Sequence, residues 1–129
     1  MILAEQLMLV ALEPESGRFA RGISQGRLKL GAAACILAEL ALHKRLARAV
    51  EGMALSDDMP DFHPVLSEAT ALLARVGRPF SAREGIERVA SGISGLVSRL
   101  LRSLSARDIL HDNRQAFFFH SYPVRSMQW

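Results

Sequence analysis

Lysine is nearly missing from this chain: of 16 basic residues, only Lys29 and Lys44 are lysines. Positive charge carried by arginine presents planar, two-pronged donors suited to phosphate and carboxylate oxygens. Aromatic residues are also few, at 6% against 50% hydrophobic residues overall. An aliphatic composition of this kind suits packed helices better than a β-sandwich. A single cysteine, Cys35, excludes an internal disulfide and agrees with a reducing cytosol. The net charge of +3 is small for a nucleic-acid domain and argues against such a partner. At 129 residues the chain predicts one domain.

Long apolar runs are absent as well. The longest, "LGAAACILAELAL" over residues 30–42, contains Glu39 and is followed by Lys44 and Arg45. A bilayer span needs about 20 apolar residues, so no transmembrane segment is expected. The N-terminal "MILAEQLMLVAL" has no basic leader, carries Glu5 and lacks a small-residue cleavage site. The expectation is therefore no signal peptide and a cytoplasmic location.

What is present is helical periodicity. Leu3, Leu7, Val10 and Ala11 lie on one stripe, widened by Met8 and Leu12, and "EPESGR" ends that helix in a turn. Residues 18–26 read as loop. The apolar run then predicts a helix from about Leu28 to His43, apolar nearly all round and so central to a bundle. "RLARAVEGMAL" (45–55) predicts a short strand pair and "SDDMPDFHP" a loop. Pro64 suits a first helical position, with Val65, Ala69, Leu72 and Val76 on one stripe. Ser81 and Glu84 have capping-box spacing and predict one long helix over about 82–104. Gly92 and Gly95 inside it predict a close approach by a neighbouring helix. "AFFFHSY" (116–122), with "HDNRQ" as the bend before it, predicts a further hairpin. The expected fold is mainly α: a helical bundle around a buried central helix, with one or two short β-hairpins.

The order of "LAEQLMLVALEPESGR", "LAELALHKRL", "HPVLSEATALLA", an arginine-bearing helix, "LSARDIL" and "AFFFHSYP" resembles the Golgi phosphoprotein 3 family. Glu13 to Arg18, and Glu39 to Leu42 with Arg45, are the most specific matches. The resemblance covers nearly all of this chain but only the N-terminal part of the usual family domain. It implies a single Golgi phosphoprotein 3-like domain over residues 1–129 without the family's C-terminal helices. It also implies a non-enzymatic adaptor of peripheral membrane type, because eukaryotic members bind phosphatidylinositol 4-phosphate and link Golgi glycosyltransferases to coat machinery. In ungapped register their pocket tryptophan falls near Ser24 and their first pocket arginine at Ala33. Their arginine pair falls near Ser94 and Val97, so none of the four residue types matches. The nearby Arg27, Lys29, Arg99 and Arg102 are the candidate lipid- or phosphate-binding residues in their place.

Other chemistries find less support. Asp57, Asp58 and Asp61 have the D-D-x-x-D spacing of magnesium-binding terpenoid synthases, but Pro60 interrupts the segment and no second motif exists. His43, His63, His111 and His120 lack metal-site spacing, and His43 reads as a partner for a helix C-terminus. Cys35 reads as packing. No catalytic residue, metal site or cofactor is expected. Arg88, Arg99 and Arg102 form one flank of the long helix, which otherwise reads as a solvated face paired with Glu84 and Glu87. Two alternatives remain open. One is a winged-helix-like nucleic-acid module using the 82–104 helix, the 109–122 hairpin and Arg114. The other is a structural protein that self-associates through an uncovered face of the central helix, giving a homo-oligomer.

Overall fold

In the computed structural model, residues 1–13, 15–56 and 63–106 are described. Among them the chain forms α1 (Leu3–Ala11), α2 (Gln25–Leu42), β1 (Leu46–Ala49), β2 (Gly52–Leu55), α3 (Pro64–Ala74), α4 (Ala82–Gly92) and α5 (Leu96–Ala106). The architecture is mainly α with one short antiparallel hairpin, as expected; the hairpin read at 109–122 lies outside the described residues. No described helix is long and apolar enough to cross a membrane.

Helix α2 is the centre of the bundle. It packs against α1, α3, α4, α5 and β1, and Ala32, Ala33 and Ile36 are fully buried on it. The small side chains in "GAAAC" let neighbours come close: a Cβ on Gly31 would sit 3.3 Å from Leu7. The helix begins at Gln25, three residues earlier than its apolar run suggests, because the Ser24 hydroxyl accepts from the Arg27 amide at 3.1 Å and caps it. It ends at His43, whose ring nitrogen Nε2 lies 2.8 Å from Glu39 one turn back. Leu30 and Leu42 remain exposed, so the all-round apolar character is not wholly used within the described chain.

Helix α1 is rotated from the expected stripe. Ala4, Met8, Leu9 and Ala11 are buried, whereas Val10 is exposed. The rotation carries Glu5 into the core, where polar partners receive it. After α1 the chain reverses: Glu13 N–H donates to the Arg18 carbonyl at 2.8 Å, Gly17 takes a left-handed φ of 69°, and Leu12 bridges Phe19. The hairpin pairs Leu46 with Leu55 and Ala49 with Gly52. Its second strand gains a second partner, since Met53 and Phe80 exchange backbone hydrogen bonds of 2.7 and 2.9 Å.

The expected long helix over 82–104 is two helices. Ile93 leaves helical geometry (ψ 104°) and Gly95 adopts φ +63°, a conformation that costs other residues about 1–2 kcal/mol. The two glycines therefore have different reasons. Gly92 is the close approach, because a Cβ there would meet Leu72 of α3 at 2.7 Å. Gly95 has open space around it and supplies the bend. The single helix of the winged-helix layout is thereby broken. Ser81 caps α4 by accepting from the Glu84 amide at 3.1 Å, but the Glu84 carboxylate binds Arg78 instead of reaching back to the cap.

Candidate functional site

Two recesses flank the start of α5, and the four candidate cations divide between them. The first is a crevice of about 240 Å³ where the N-termini of α2 and α5 converge, bounded by Gln25, Gly26 and Lys29 on one side and by residues 95–98 on the other. First-turn amides lack intrahelical acceptors, and the aligned peptide dipoles make that end of each helix positive. Lys29 adds a full charge at the rim. Arg27 is exposed on the same turn of α2 and is not among the residues that bound this crevice.

The second recess, of about 450 Å³, lies one turn further along α5. Its walls are Arg99, Arg102 and Ser103 from α5, facing His63, Pro64 and Val65 at the start of α3. Arg99 and Arg102 are thus brought together, three residues apart on one helical face. They differ in commitment. Arg99 is ion-paired with Glu68 of α3, while Arg102 is exposed and has no side-chain partner among the described residues. Arg88 does not join them: it lies on α4, and Glu84 and Glu87 are instead paired with Arg78 and Arg83.

Behind the second recess is a polar cluster that the sequence reading did not identify. Glu5 is fully buried and His63 nearly so, while Ser103 is half-buried. Ser103 donates to Glu5 Oε2 at 2.8 Å, and His63 Nε2 lies 3.3 Å from both Glu5 Oε2 and Ser103 Oγ. The other carboxylate oxygen accepts from the Ile2 amide at 3.0 Å. Burial alone pushes the Glu5 carboxyl up, but the hydrogen bonds from Ile2, Ser103 and His63, with the nearby imidazole, outweigh it and leave the group below the usual carboxylate range.

Serine, histidine and glutamate in contact invite comparison with a hydrolytic triad. The wiring is different. His63 Nδ1 accepts from the Val65 amide at 3.1 Å, so the network assigns the ring proton to Nε2. A nucleophilic serine needs an imidazole lone pair to take its proton, with the carboxylate on the far ring nitrogen. Here the Ser103 hydroxyl donates its hydrogen bond to the carboxylate directly, and the imidazole caps α3. The cluster ties α1, α3 and α5 together.

The remaining expectations fall as follows. Among the described residues no group of three or more His, Cys, Asp or Glu side chains is placed to hold a metal ion. Asp57, Asp58, Asp61, His111 and His120 lie outside the described residues. Cys35 is half-buried, and burial with the nearby Glu39 carboxylate pushes its thiol pKa up, away from reactive thiolate. A third recess, about 300 Å³, runs from Ala54 and Leu55 to Phe80 and contains Arg78, which is already held by Glu84.

A sequence signal for the buried cluster did exist. Glu5, like Glu39, is a carboxylate inside an apolar helical run, and such a residue is kept in a core only when hydrogen bonds receive it. Its partners were not legible, because Ser103 stands 98 positions away and His63 stands 58 away.

Of the positions Ser24, Ala33, Ser94 and Val97, only Val97 lines the first recess. Ser24 caps α2 beside it and Ser94 is exposed just before α5, whereas Ala33 is buried in the core. No curated protein matches the chain. The family model described as Golgi phosphoprotein 3 (GPP34) matches residues 3–128, nearly the whole length. The chain belongs to the Golgi phosphoprotein 3 family.

Proposed function

We propose that this domain is a non-enzymatic peripheral membrane adaptor that binds anionic lipid headgroups, with phosphatidylinositol 4-phosphate as one candidate. The observation that carries this reading is the crevice at the joined N-termini of α2 and α5, rimmed by Lys29, in a member of this family. Two helix N-termini and a lysine favour a phosphate without a dedicated arginine at each matching position. Arg27 on the same turn, and Arg99 and Arg102 further along α5, extend the cationic side. At about 1 kcal/mol for each basic residue near an anionic leaflet, four such residues support weak, salt-sensitive association. Self-association through the exposed Leu30 and Leu42 of α2 accompanies this reading as its oligomeric state.

Vesicle co-sedimentation at low salt tests it. Binding to vesicles containing phosphatidylinositol 4-phosphate or another anionic lipid, with little binding to neutral vesicles, is the expected result. Equal binding to both kinds of vesicle overturns it.

A further inference from the structure

We infer that the recess between α3 and α5 is a second oxyanion site, separate from the crevice at the start of α2, and that Glu68 serves as its internal plug. Three observations bring this together. Arg99 and Arg102 stand three residues apart on one face of α5 and line the same recess. Arg99 is held by Glu68, so a carboxylate of the protein already sits on one guanidinium. Arg102 has no side-chain partner among the described residues, so a second fork stands ready.

The recess is closed behind these arginines by groups that are not free to compete. Glu5 is committed to Ser103, His63 and the Ile2 amide, and His63 is committed to Val65 and Glu5. These bonds fix the Ser103 side chain, and through it the wall from which the arginines project. Glu68 is different. Its side chain is 41% exposed, so a carboxylate leaving Arg99 enters water at little desolvation cost. An incoming oxyanion that spans both guanidiniums replaces one carboxylate contact with two charge-assisted ones.

The chemistry selected is a phosphate or phosphate monoester: a compact group with enough oxygens to take both arginine forks. A volume of about 450 Å³ leaves room for a small organic moiety attached to it. The phosphate can come from a soluble molecule or from a lipid headgroup, and the two sources separate experimentally. The inference rests on the reading of the α5 arginines as anion-binding residues, but not on the Lys29 crevice.

The test is calorimetric titration of the full chain with inorganic phosphate and with glycerol phosphate, alongside sedimentation with phosphatidate-containing vesicles. Wild type, Glu68→Gln, Arg102→Gln and Lys29→Gln are compared, with circular dichroism to verify folding. Freeing Arg99 in Glu68→Gln is expected to tighten phosphate binding about tenfold, the scale of one released charged contact. Arg102→Gln is expected to lose the part of phosphate binding that Glu68→Gln enhances, and Arg102→Lys to recover some of it. Lys29→Gln is expected to leave that Glu68-sensitive part in place while removing binding at its own crevice. If the source is soluble, glycerol phosphate binds and Arg102→Gln lowers vesicle binding by no more than the roughly fivefold expected of one surface charge; if it is a headgroup, Arg102→Gln lowers both by more than that. Absence of phosphate binding by Glu68→Gln at tens of millimolar, or equal affinity in Glu68→Gln and wild type, overturns the inference. Loss of vesicle binding in Lys29→Gln with the Glu68-sensitive phosphate affinity retained separates the two sites, whereas failure of the lipid reading alone leaves the phosphate titration intact.

Discussion

The Glu39 carboxylate accepts a 2.6 Å hydrogen bond from the Leu3 amide, across 36 positions of sequence. Its other oxygen is held by His43 at 2.8 Å. A helix begins with amides that have no intrahelical acceptor, and a negative charge at that end also favours the dipole. Glu39 therefore docks the start of α1 onto the C-terminal turn of α2. Glu5 does the same from within α1 by receiving the Ile2 amide. Two buried carboxylates thus secure one helix N-terminus.

Removing the first of them is informative. Glu39→Ala leaves the Leu3 amide without its side-chain acceptor and opens space beside α1. Urea unfolding should show a loss of about 1–3 kcal/mol, the scale of a buried donor left unsatisfied. Glu39→Gln keeps an acceptor oxygen and should lose less. Faster amide exchange at the start of α1 than at α4 is the accompanying signature; uniform acceleration across the domain would contradict the docking role.

Acid should act through Glu5. Its carboxyl pKa lies below the usual carboxylate range in the folded chain: burial opposes this, and the bonds from Ile2, Ser103 and His63 prevail. A lowered folded pKa means that the stabilisation is fully present above the unfolded pKa and disappears as pH falls through the folded one. Unfolding free energy should therefore decline as pH drops below the ordinary glutamate pKa of about 4.3. Ser103→Ala should shrink this decline, because one of the lowering bonds is gone. An identical pH profile in Ser103→Ala and wild type would show that the hydroxyl does not stabilise the charged form.

Local structure was legible wherever a short-range device determined it. Pro64 at the start of α3 and Ser81 before α4 act within a few residues, and each stands where expected. The central position of α2 followed from its small, apolar composition. The break between α4 and α5 was hidden, because Ile93, Leu96, Val97 and Leu100 continue a helical spacing across it. That spacing places apolar residues in the core on both sides of a bend as well as along a straight helix. The division of the candidate cations had the same origin. Lys29 and Arg99 join different recesses because α2 meets α5 at the first and α3 meets α5 at the second, a relationship no sequence window contains.

Two glycines separate conformational strain from collision. Gly95 has φ +63° with nothing near its missing Cβ, so Gly95→Ala should cost about 1–2 kcal/mol from backbone strain alone. Gly52 has φ +133°, and a Cβ there would lie 2.4 Å from the Phe80 carbonyl oxygen. The Phe80 atoms it would meet are all backbone, so relief requires breaking the pairing of β2 with Phe80. Gly52→Ala should be the more damaging change by thermal unfolding, and similar midpoints for the two variants would disprove this distinction.

Membrane association, finally, should depend on charge at the start of α2. Arg27 is exposed and Lys29 rims the crevice, and neither forms an ion pair among the described residues. Arg27→Gln with Lys29→Gln removes two positive charges without disturbing the core, since the Ser24 cap uses the Arg27 backbone amide and not its side chain. At about 1 kcal/mol for each charge near an anionic leaflet, the pair should weaken vesicle binding by roughly tenfold or more at low salt. The difference should shrink as salt rises, because the Debye length falls from about 30 Å at 0.01 M to about 10 Å at 0.1 M. Binding that persists undiminished in the double variant would place the membrane-facing surface away from the N-terminus of α2.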